Sequence, residues 1–370
     1  MGHLYSLITG SKPLSSKPSI EQQLFNFAIA GKENEFKYLV GEFIGGHSKE
    51  GGKLLLAKVV STPGDTGGNT SLHAAVYSGQ MSLVKFLVSS CHADLLMKND
   101  MGCTPLWLAA GYKKQNCLSF LLRNLRVHSQ SKDEAISDEV DIDEYTRVVI
   151  HDANNNNDTP LIAASSKGYI EICRILLETV HKVAGEAKVI EMLTIKNRNG
   201  DTALSVATSK GLECDSNLID LLLEWELKGA RKLSTPSQKS SINHRNKKGL
   251  TPLLIACERG NVEIIKKLVK AGAQFLPDSK GASPLSVASF CGQIEVVKVL
   301  LELEPSLLNL TDEESGNTPL WHAARTGNFK MVQLLLESGA DPRIANHDGL
   351  TPLQVAKKYN KSRVEDILSA

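Results

Sequence analysis

The chain has 370 residues, and its 42 basic and 41 acidic side chains leave a formal charge of +1. This balance excludes a global electrostatic preference for nucleic acids or for basic partners. Seven scattered cysteines without a Cys-x-x-Cys pair indicate a reducing compartment, and no apolar run is long enough to predict a transmembrane segment or a signal-peptide core.

The chain begins with residues 1–19, a stretch rich in Ser, Pro and Lys that we predict to be a flexible tail. Met1 to Ser6 also matches the pattern for N-terminal lipidation at Gly2. We favour the unmodified tail, since the pattern is short and a single acyl chain binds membranes only marginally. Apolar residues at helical spacing between 24 and 40 then predict a first, degenerate pair of helices.

An internal repeat dominates the rest of the chain. Each repeat carries Thr-Pro-Leu or a close variant, and we call its first residue the anchor: Thr70, Thr104, Thr159, Thr202, Thr251, Ser283, Thr318 and Thr351. Successive anchors lie 34, 55, 43, 49, 32, 35 and 33 residues apart, so the unit is about 33 residues long, with insertions. The anchor hydroxyl is expected to cap a short first helix, in which Pro suits the first position. A second, amphipathic helix follows in each repeat.

Two positions in each repeat predict a left-handed backbone. Gly or, at Asn157, Asn stands two residues before every anchor, where a tight turn is expected. Gly also stands nine residues after six of the anchors and predicts the end of the first helix. Asn360 replaces it in the last repeat and Lys113 replaces it in the Thr104 repeat.

Four insertions lengthen the spacing, at about 44–66, 123–157, 178–198 and 224–247. Each follows a second helix and precedes a hairpin turn, and we interpret these segments as loops. Because loops carry function more often than scaffold residues do, the insertions are the first candidates for what distinguishes this protein. The acidic stretch 131–144 lacks the glycine of a calcium-binding loop, which favours a solvated segment. The basic stretch 239–248 also favours a solvated loop over nuclear import or phosphate contact.

A helical pair followed by a hairpin, with the pattern Gly-x-Thr-Pro-Leu-His-x-Ala-Ala-x-x-Gly, resembles the ankyrin repeat. Thr70, Leu72, His73 and Gly79 match this pattern, and the Thr318 repeat ends in the Gly-Ala-Asp at 339–341 that is typical of the family. The resemblance covers residues 20–370. It implies an all-α solenoid of about eight units plus a degenerate N-terminal cap unit, with the polar last repeat as the C-terminal cap.

The resemblance also implies a binding face made by the hairpin tips and the ends of the first helices. The candidate partner-binding residues at these positions are Tyr77, Met101, Tyr112, Lys167, Arg198, Lys210, Lys247, Lys248, Arg259, Phe290, Arg325 and Tyr359. Their order predicts a central basic stripe with aromatic residues on either side. His73, Trp107 and Trp321 occupy the family's histidine position, which implies packing or hydrogen bonding between repeats, whereas His322 is expected at the surface.

We therefore predict a non-catalytic scaffold that binds a partner protein on the concave ankyrin surface, on the insertion loops or on both. We predict no cofactor or metal, and we expect the partner to present an acidic surface. Two alternatives remain open: an enzyme or regulator whose active elements lie in the insertions, and a nucleic-acid binder that uses the central basic stripe. The resemblance implies a cytoplasmic location, or the host-cell cytosol for a secreted bacterial effector.

Overall fold

The computed structural model describes residues 18–46, 49–128, 142–210, 216–230 and 240–369. These residues form α-helices and one 3₁₀ helix, Pro305–Asn309, and no strand occurs in the described ranges. The chain divides into two compact units, which we call unit 1 (Met1–Asn197) and unit 2 (Arg198–Ala370). Unit 1 contains the N-terminal helical pair and the Thr70, Thr104 and Thr159 repeats. Unit 2 contains the other five repeats.

Every repeat begins with a short first helix. The bounds are Ser71–Ser78, Pro105–Gly111, Pro160–Lys167, Ala203–Thr208, Pro252–Arg259, Pro284–Cys291, Pro319–Thr326 and Pro352–Lys358. In all eight, the anchor hydroxyl accepts a hydrogen bond from the backbone N–H three residues later. The predicted caps are therefore confirmed, and each contributes about 1 kcal/mol to stability. Within each unit the first helices of successive repeats contact one another in order.

A second helix follows in every repeat. The bounds are Met81–Ser89, Gln115–His128, Ile170–Thr194, Ser216–Ala230, Val262–Lys270, Ile294–Leu303, Phe329–Glu337 and Ser362–Ser369. In Val262–Lys270 the side chains of Ile264, Ile265 and Leu268 are buried, as helical spacing of apolar residues predicts. The N-terminal pair, Ile20–Ala30 and Glu33–Gly45, has the same arrangement, and Ser19 caps its first helix.

The predicted left-handed positions are confirmed throughout the described residues. All eight residues that stand two before an anchor, Asn157 included, have φ between 59° and 81°. The glycines that end first helices are also left-handed, whereas Gly211 lies outside the described residues. Gly281 shows a second requirement, because a Cβ there would lie 2.4 Å from the backbone N of Glu313 in the next hairpin. Glycine thus permits both the turn and the close stacking of hairpins.

The insertions differ from the loops that the sequence led us to expect. The first contains the helix Lys49–Ser61, the second contains Ile142–His151, and the third is the continuation of Ile170–Thr194 past a kink at Gly185. In the first, Leu56 and Val60 are buried. Apolar side chains at helical spacing therefore fold these segments onto the scaffold. The loop prediction is wrong for these helices, whereas 62–66, 152–157 and 195–198 are turns, bends and irregular backbone.

The fourth insertion is held by a buried carboxylate. The second helix of the Thr202 repeat continues to Ala230, and Glu226 accepts hydrogen bonds from the backbone N–H and hydroxyl of Ser241 and from the hydroxyl of Ser240. Burial raises the pKa of Glu226, and the serine hydrogen bonds oppose this shift. The carboxylate thus fixes the point at which the chain returns to the next hairpin.

Several predictions fall outside the described residues. Gly2 lies there, as do residues 131–141 of the acidic stretch and Lys239 of the basic stretch. The domain limits, with a tail over 1–19 and one solenoid over 20–370, stay predictions. Of the six cysteines in the described ranges, Cys291 is exposed and the other five are buried. Within the described part of the chain, no helix combines the length and the apolar character needed to cross a membrane.

Candidate interaction surface

In unit 1, three of the predicted binding residues form one apolar patch. The rings of Tyr77 and Tyr112 meet edge to face with centroids 4.8 Å apart, and Met101 at the neighbouring hairpin tip is 45% exposed. Tyr77 and Met101 also line a small apolar pocket together with Phe25 and Leu108. Burial raises the pKa of the Tyr112 hydroxyl. The patch therefore offers rigid aromatic and flexible thioether surface side by side.

His73 joins two repeats of unit 1. Its Nδ1 accepts a hydrogen bond from the backbone N–H of Thr70, so its Nε2 carries the proton and donates to the Cys103 carbonyl at 3.0 Å. Burial lowers the pKa of His73 to about 4, and the ring is neutral at physiological pH. The hydrogen bond between repeats that the resemblance implied is confirmed, and His73 is a structural residue.

Trp107 and Trp321 occupy the same position as His73 in their own repeats. Trp107 Nε1 donates to the carbonyl of Asp158 at 2.6 Å. Trp321 is buried, and its Nε1 has no hydrogen-bond acceptor among the described residues. The Trp107 indole thus joins its repeat to the next one, as expected, whereas Trp321 is buried beside His322 and Arg325 of its own repeat.

His322 is half-buried and both of its ring nitrogens are buried, whereas the sequence led us to expect it at the surface. Its side chain is 14% exposed and its ring lies edge to face against Phe290 and Trp321, with centroids 5.9 and 5.6 Å away. Its Nε2 is 3.3 Å from the Asp312 carboxylate. Burial lowers the pKa of His322, and Asp312 opposes this shift. The hairpin that carries Asp312 covers the ring, a contact that the repeat pattern does not encode.

In unit 2, hairpin tips and first helices enclose an open groove with a basic rim. Lys247 and Lys248 line it from the hairpin side and Arg259 from the helix side; we call these three residues and the space between them the basic groove. All three side chains are exposed, and none forms an ion pair with any described residue. Asp201 and Glu258 also line the groove. The exposed cations are therefore available to an acidic group.

The remaining residues of the predicted basic stripe are less closely grouped. Arg198 is exposed and Lys210 is half-buried at the end of its first helix, both in unit 2. Lys167 is exposed, but it belongs to unit 1. The stripe that the sequence suggested is therefore divided between the two units, and the groove is the part that the structure brings together.

A second group of predicted residues follows in unit 2. Phe290 is 51% exposed and Tyr359 is 43% exposed. The guanidinium of Arg325 lies over the rings of Trp321 and Tyr359, at 5.8 and 5.6 Å from their centroids. Because Phe290, Arg325 and Tyr359 stand at the first-helix ends of three consecutive repeats, we call them the aromatic–arginine cluster. Such cation–π contacts hold the guanidinium in place while it stays accessible.

Comparison with known proteins decides the family. The family model "Ankyrin repeats (3 copies)" matches residues 24–133, 139–235, 217–309 and 303–369, which is nearly the whole chain. The chain belongs to the ankyrin-repeat family. The all-α ankyrin-repeat solenoid that the sequence predicted is thereby confirmed as the fold class, and members of this family generally bind other proteins.

The curated relatives of this ankyrin-repeat protein are much longer than the matched segments. It is 40% identical over 105 residues to the ankyrin repeat protein nuc-2 of Neurospora crassa, which covers 28% of this chain and 10% of the relative. It is 32% identical over 193 residues to the ankyrin repeat and KH domain-containing protein CBG24701 of Caenorhabditis briggsae, covering 51% and 7%. It is 40% identical over 70 residues to the human NAD-capped RNA hydrolase NUDT12, covering 19% and 15%. The chain thus spans a small fraction of the length of each.

Sequence reasoning missed several buried polar residues of this ankyrin-repeat protein. Asp152 is buried, accepts a hydrogen bond from the Thr104 hydroxyl and lies 3.3 Å from Lys98 Nζ. Burial raises its pKa, and these two partners oppose the shift. Glu226 is similarly buried. Glu226 lies in a mostly apolar helix at the start of an insertion, and Asp152 directly follows the helix of another insertion. An acidic residue within or directly after an insertion helix was therefore the available signal.

Proposed function

We propose that this ankyrin-repeat protein is a non-catalytic scaffold that binds a partner protein through its hairpin tips and first-helix ends. The observation that carries the proposal is the basic groove of unit 2, where Lys247, Lys248 and Arg259 are exposed and form no ion pair with described residues. Unpaired cations around a concave space attract acidic partners and speed their association. The partner surface is therefore expected to be acidic.

The exposed aromatic residues supply the affinity that charge alone does not. Tyr and Arg are enriched among the residues that dominate binding energy at protein interfaces, and they are most effective next to well-packed neighbours. Arg325 and Tyr359 in unit 2 have this setting, and so do Tyr77 and Tyr112 in unit 1. We therefore propose a binding surface on each unit taken by itself: the Tyr77, Met101 and Tyr112 patch and Lys167 in unit 1, and the basic groove, the aromatic–arginine cluster, Arg198 and Lys210 in unit 2.

An enzymatic activity is the second candidate, and one comparison favours it. The relative named as an NAD-capped RNA hydrolase shares 40% identity with this chain, but over 70 residues that make up 15% of its own length. We favour the scaffold because the groove contains exposed ammonium, guanidinium and amide groups, which bind acidic groups without any bond being broken. Incubation with NAD-capped RNA tests this choice: we expect no turnover, and product formation at a rate that scales with protein concentration would decide for the enzyme.

Site-specific photo-crosslinking tests the binding surface. A photoreactive amino acid at position 248 or 290 is expected to give discrete adducts with a protein from a cell extract. The same amino acid at Lys266 or Lys298, which are exposed on second helices, is the matched control and is expected to give none. Equal adducts from all four positions would show that the proposed face has no special role.

Charge reversal tests the electrostatic part with the captured partner. The triple variant K210E/K248E/R259E is expected to associate about ten-fold more slowly and with a weaker dependence on salt. The control variant K266E/K298E/K330E changes the net charge equally on second helices and is expected to keep the rate. An unchanged rate and salt dependence in the first variant would remove the basic residues from the binding surface.

A further inference from the structure

The hairpin tips of unit 2 change the sign of their charge along the stack of repeats. The Thr251 repeat presents Lys247 and Lys248, and the Ser283 repeat presents Lys280. The Thr318 repeat presents Glu313 and Glu314, both exposed. The Lys280 ammonium lies 3.6 Å from the Glu314 carboxylate, which marks the boundary between the two halves. A ligand of uniform charge would therefore match one half of this row and be repelled by the other.

These tips form one continuous row because backbone and side-chain hydrogen bonds join each tip to the next. The Ser279 hydroxyl donates to the Lys248 carbonyl at 3.2 Å, and the Glu314 N–H donates to the Lys280 carbonyl at 3.1 Å. The His347 N–H then donates to the carbonyl of Ser315 at 2.8 Å. The charges are consequently held in a fixed order over neighbouring repeats rather than on independent loops.

The first-helix ends of the same repeats form a parallel row of different chemistry. The row starts at Arg259 and continues through Phe290, Arg325 and Tyr359. The Gln293 side chain donates to the Glu258 carbonyl at 3.0 Å and joins the first step of this row. Phe290 of the Ser283 repeat packs on His322 of the Thr318 repeat. Arg325 of the Thr318 repeat lies over Tyr359 of the Thr351 repeat. Aromatic side chains restrained in this way lose little conformational entropy on binding.

We propose that unit 2 binds an extended segment of its partner that is acidic at one end and aromatic and basic at the other. The acidic end lies in the basic groove. An aromatic side chain packs on the aromatic–arginine cluster, and basic side chains face Glu313 and Glu314. The inference rests on the proposed function and deepens it, because it states the chemistry and the direction of the bound segment.

This charge order favours a peptide over a nucleic acid. Single-stranded nucleic acid carries a phosphate at every nucleotide and binds best where cations follow its whole path. A strand that started in the basic groove would meet Glu313 and Glu314 two repeats later in the same row. A peptide can confine its negative charge to one end, and its other end can complement the glutamates.

Two synthetic peptides of identical composition test the inference on the full-length protein. The block peptide has a run of glutamates at one end and a phenylalanine flanked by lysines at the other. The interleaved peptide has the same residues with their charges alternating. Fluorescence anisotropy of the labelled peptides is expected to show about ten-fold tighter binding of the block peptide, because only its charge order matches the row.

Variants at each end of the site separate the two contacts. K247E/K248E/R259E is expected to weaken block-peptide binding about ten-fold and to flatten its salt dependence. F290A/Y359A is expected to weaken binding about ten-fold while the salt dependence stays as it is. The control K266E/K298E/K330E is expected to bind normally. Replacing the glutamates of the block peptide with lysines is expected to restore binding to K247E/K248E/R259E, which shows that this variant is folded.

The outcomes distinguish this inference from the proposed function. Equal affinity for the block and interleaved peptides overturns the inference, and so does unchanged binding in either site variant. If the block peptide fails to bind while positions 248 and 290 still give crosslinked partner, the inference falls and the proposed function stands. A labelled oligothymidylate is the third probe. If it binds more tightly than the block peptide and loses affinity in K247E/K248E/R259E, the groove is a nucleic-acid site and the inference is overturned.

Discussion

Units 1 and 2 use the position three residues after the anchor in different ways. In unit 1, His73 and Trp107 each donate a hydrogen bond to the carbonyl just before the next anchor, which belongs to Cys103 in one repeat and to Asp158 in the other. In unit 2, Trp321 has the same position, but its indole N–H has no acceptor among the described residues. The side chain at this position therefore donates a hydrogen bond to the next repeat at two places in unit 1, whereas Trp321 in unit 2 donates none to a described residue.

Hairpin stacking, rather than the side chain at this position, is the connection that repeats in both units share. Both units join successive hairpins by a backbone hydrogen bond, such as Asn155 N–H to the Met101 carbonyl in unit 1 and Lys247 N–H to the Asn199 carbonyl in unit 2. The hydrogen bond from the third position, which His73 and Trp107 donate, supplements hairpin stacking in two repeats of unit 1. Contacts between hairpins are therefore expected to contribute more to stability than the hydrogen bond from the third position.

The largest effect is expected from obstructing a hairpin contact. In Gly281→Ala, the new methyl group would lie 2.4 Å from the backbone N of Glu313, at a residue with φ of 81°. We expect a loss of about 3 kcal/mol in the free energy of unfolding, measured by urea denaturation, from left-handed strain and a displaced hairpin together.

Gly349→Ala is the matched control for this prediction. Its φ is 74°, but a Cβ there would meet no atom within 4 Å, so we expect only the strain of about 1 kcal/mol. Equal losses in the two variants would mean that the contact between hairpins contributes nothing beyond backbone strain, and the ranking above would be wrong.

The next effect is a pH dependence that comes from His73 in unit 1. The pKa of His73 is about 4 in the folded protein against 6.5 for the free side chain, so the unfolded state binds the proton more readily. The contribution of the neutral His73 ring to the free energy of unfolding is fully present above about pH 6.5 and is lost as the pH falls toward about 4. We expect a loss of about 2 kcal/mol by about pH 5.

Urea denaturation at several pH values measures this dependence, and His73→Leu removes the titrating group. The variant is less stable at every pH because it leaves the Cys103 carbonyl without the His73 hydrogen bond. Its stability between about pH 6.5 and about pH 5 is nevertheless expected to fall by about 2 kcal/mol less than that of the parent. Parallel curves for parent and variant would show that His73 is protonated equally in both states.

A smaller effect is expected from the two tryptophans that define the comparison. Trp107→Phe removes the donor to the Asp158 carbonyl and is expected to cost about 1.5 kcal/mol. Trp321→Phe removes an N–H that is already unpaired and is expected to cost about 0.5 kcal/mol, mostly from lost ring volume. Thermal or urea unfolding of both variants gives the difference. A larger loss for Trp321→Phe would contradict the distinction between the units.

The smallest effect should be the same in both units. Thr159→Ala in unit 1 and Thr251→Ala in unit 2 each remove a helix cap and are expected to cost about 1 kcal/mol by urea denaturation. The corresponding Thr→Ser variants keep the capping hydroxyl and should recover most of this loss. Clearly different costs at the two sites would show that the caps also depend on contacts particular to each unit.

The repeat scaffold could be predicted from the sequence because its determinants are local. A capping hydroxyl, a proline that follows it and a left-handed glycine act within a few residues, and all recur at fixed spacing. Asn157 was assigned correctly because Asn is the residue other than Gly that most readily accepts this conformation. The basic groove was partly predictable too, since Lys247, Lys248 and Arg259 occupy positions that the repeat assigns to one face.

The insertions could not be predicted in the same way, because what folds them is not local. The helix Lys49–Ser61 buries Leu56, Val59 and Val60 against a neighbouring part of unit 1, and such a short helix is only marginally stable by itself. Its sequence contains eight strong helix formers (Lys, Glu, Leu and Ala) but also two adjacent glycines, Gly51 and Gly52, which weaken a helical assignment. Tertiary packing overrides that local preference.

The amino-acid sequence alone determined the repeat, its caps and turns, and the family, since each depends on interactions within about ten residues along the chain. Only the tertiary structure decided which polar groups are enclosed: the ring nitrogens of His322 beside Asp312, the carboxylate of Asp152 beside Lys98, and the carboxylate of Glu226 beside Ser241. Each pair joins two different structural elements, so it forms only when those elements pack together, and a charged group enters the interior only where a partner compensates its lost hydration. Folding brings these partners into contact, and their spacing in the sequence does not indicate the contact.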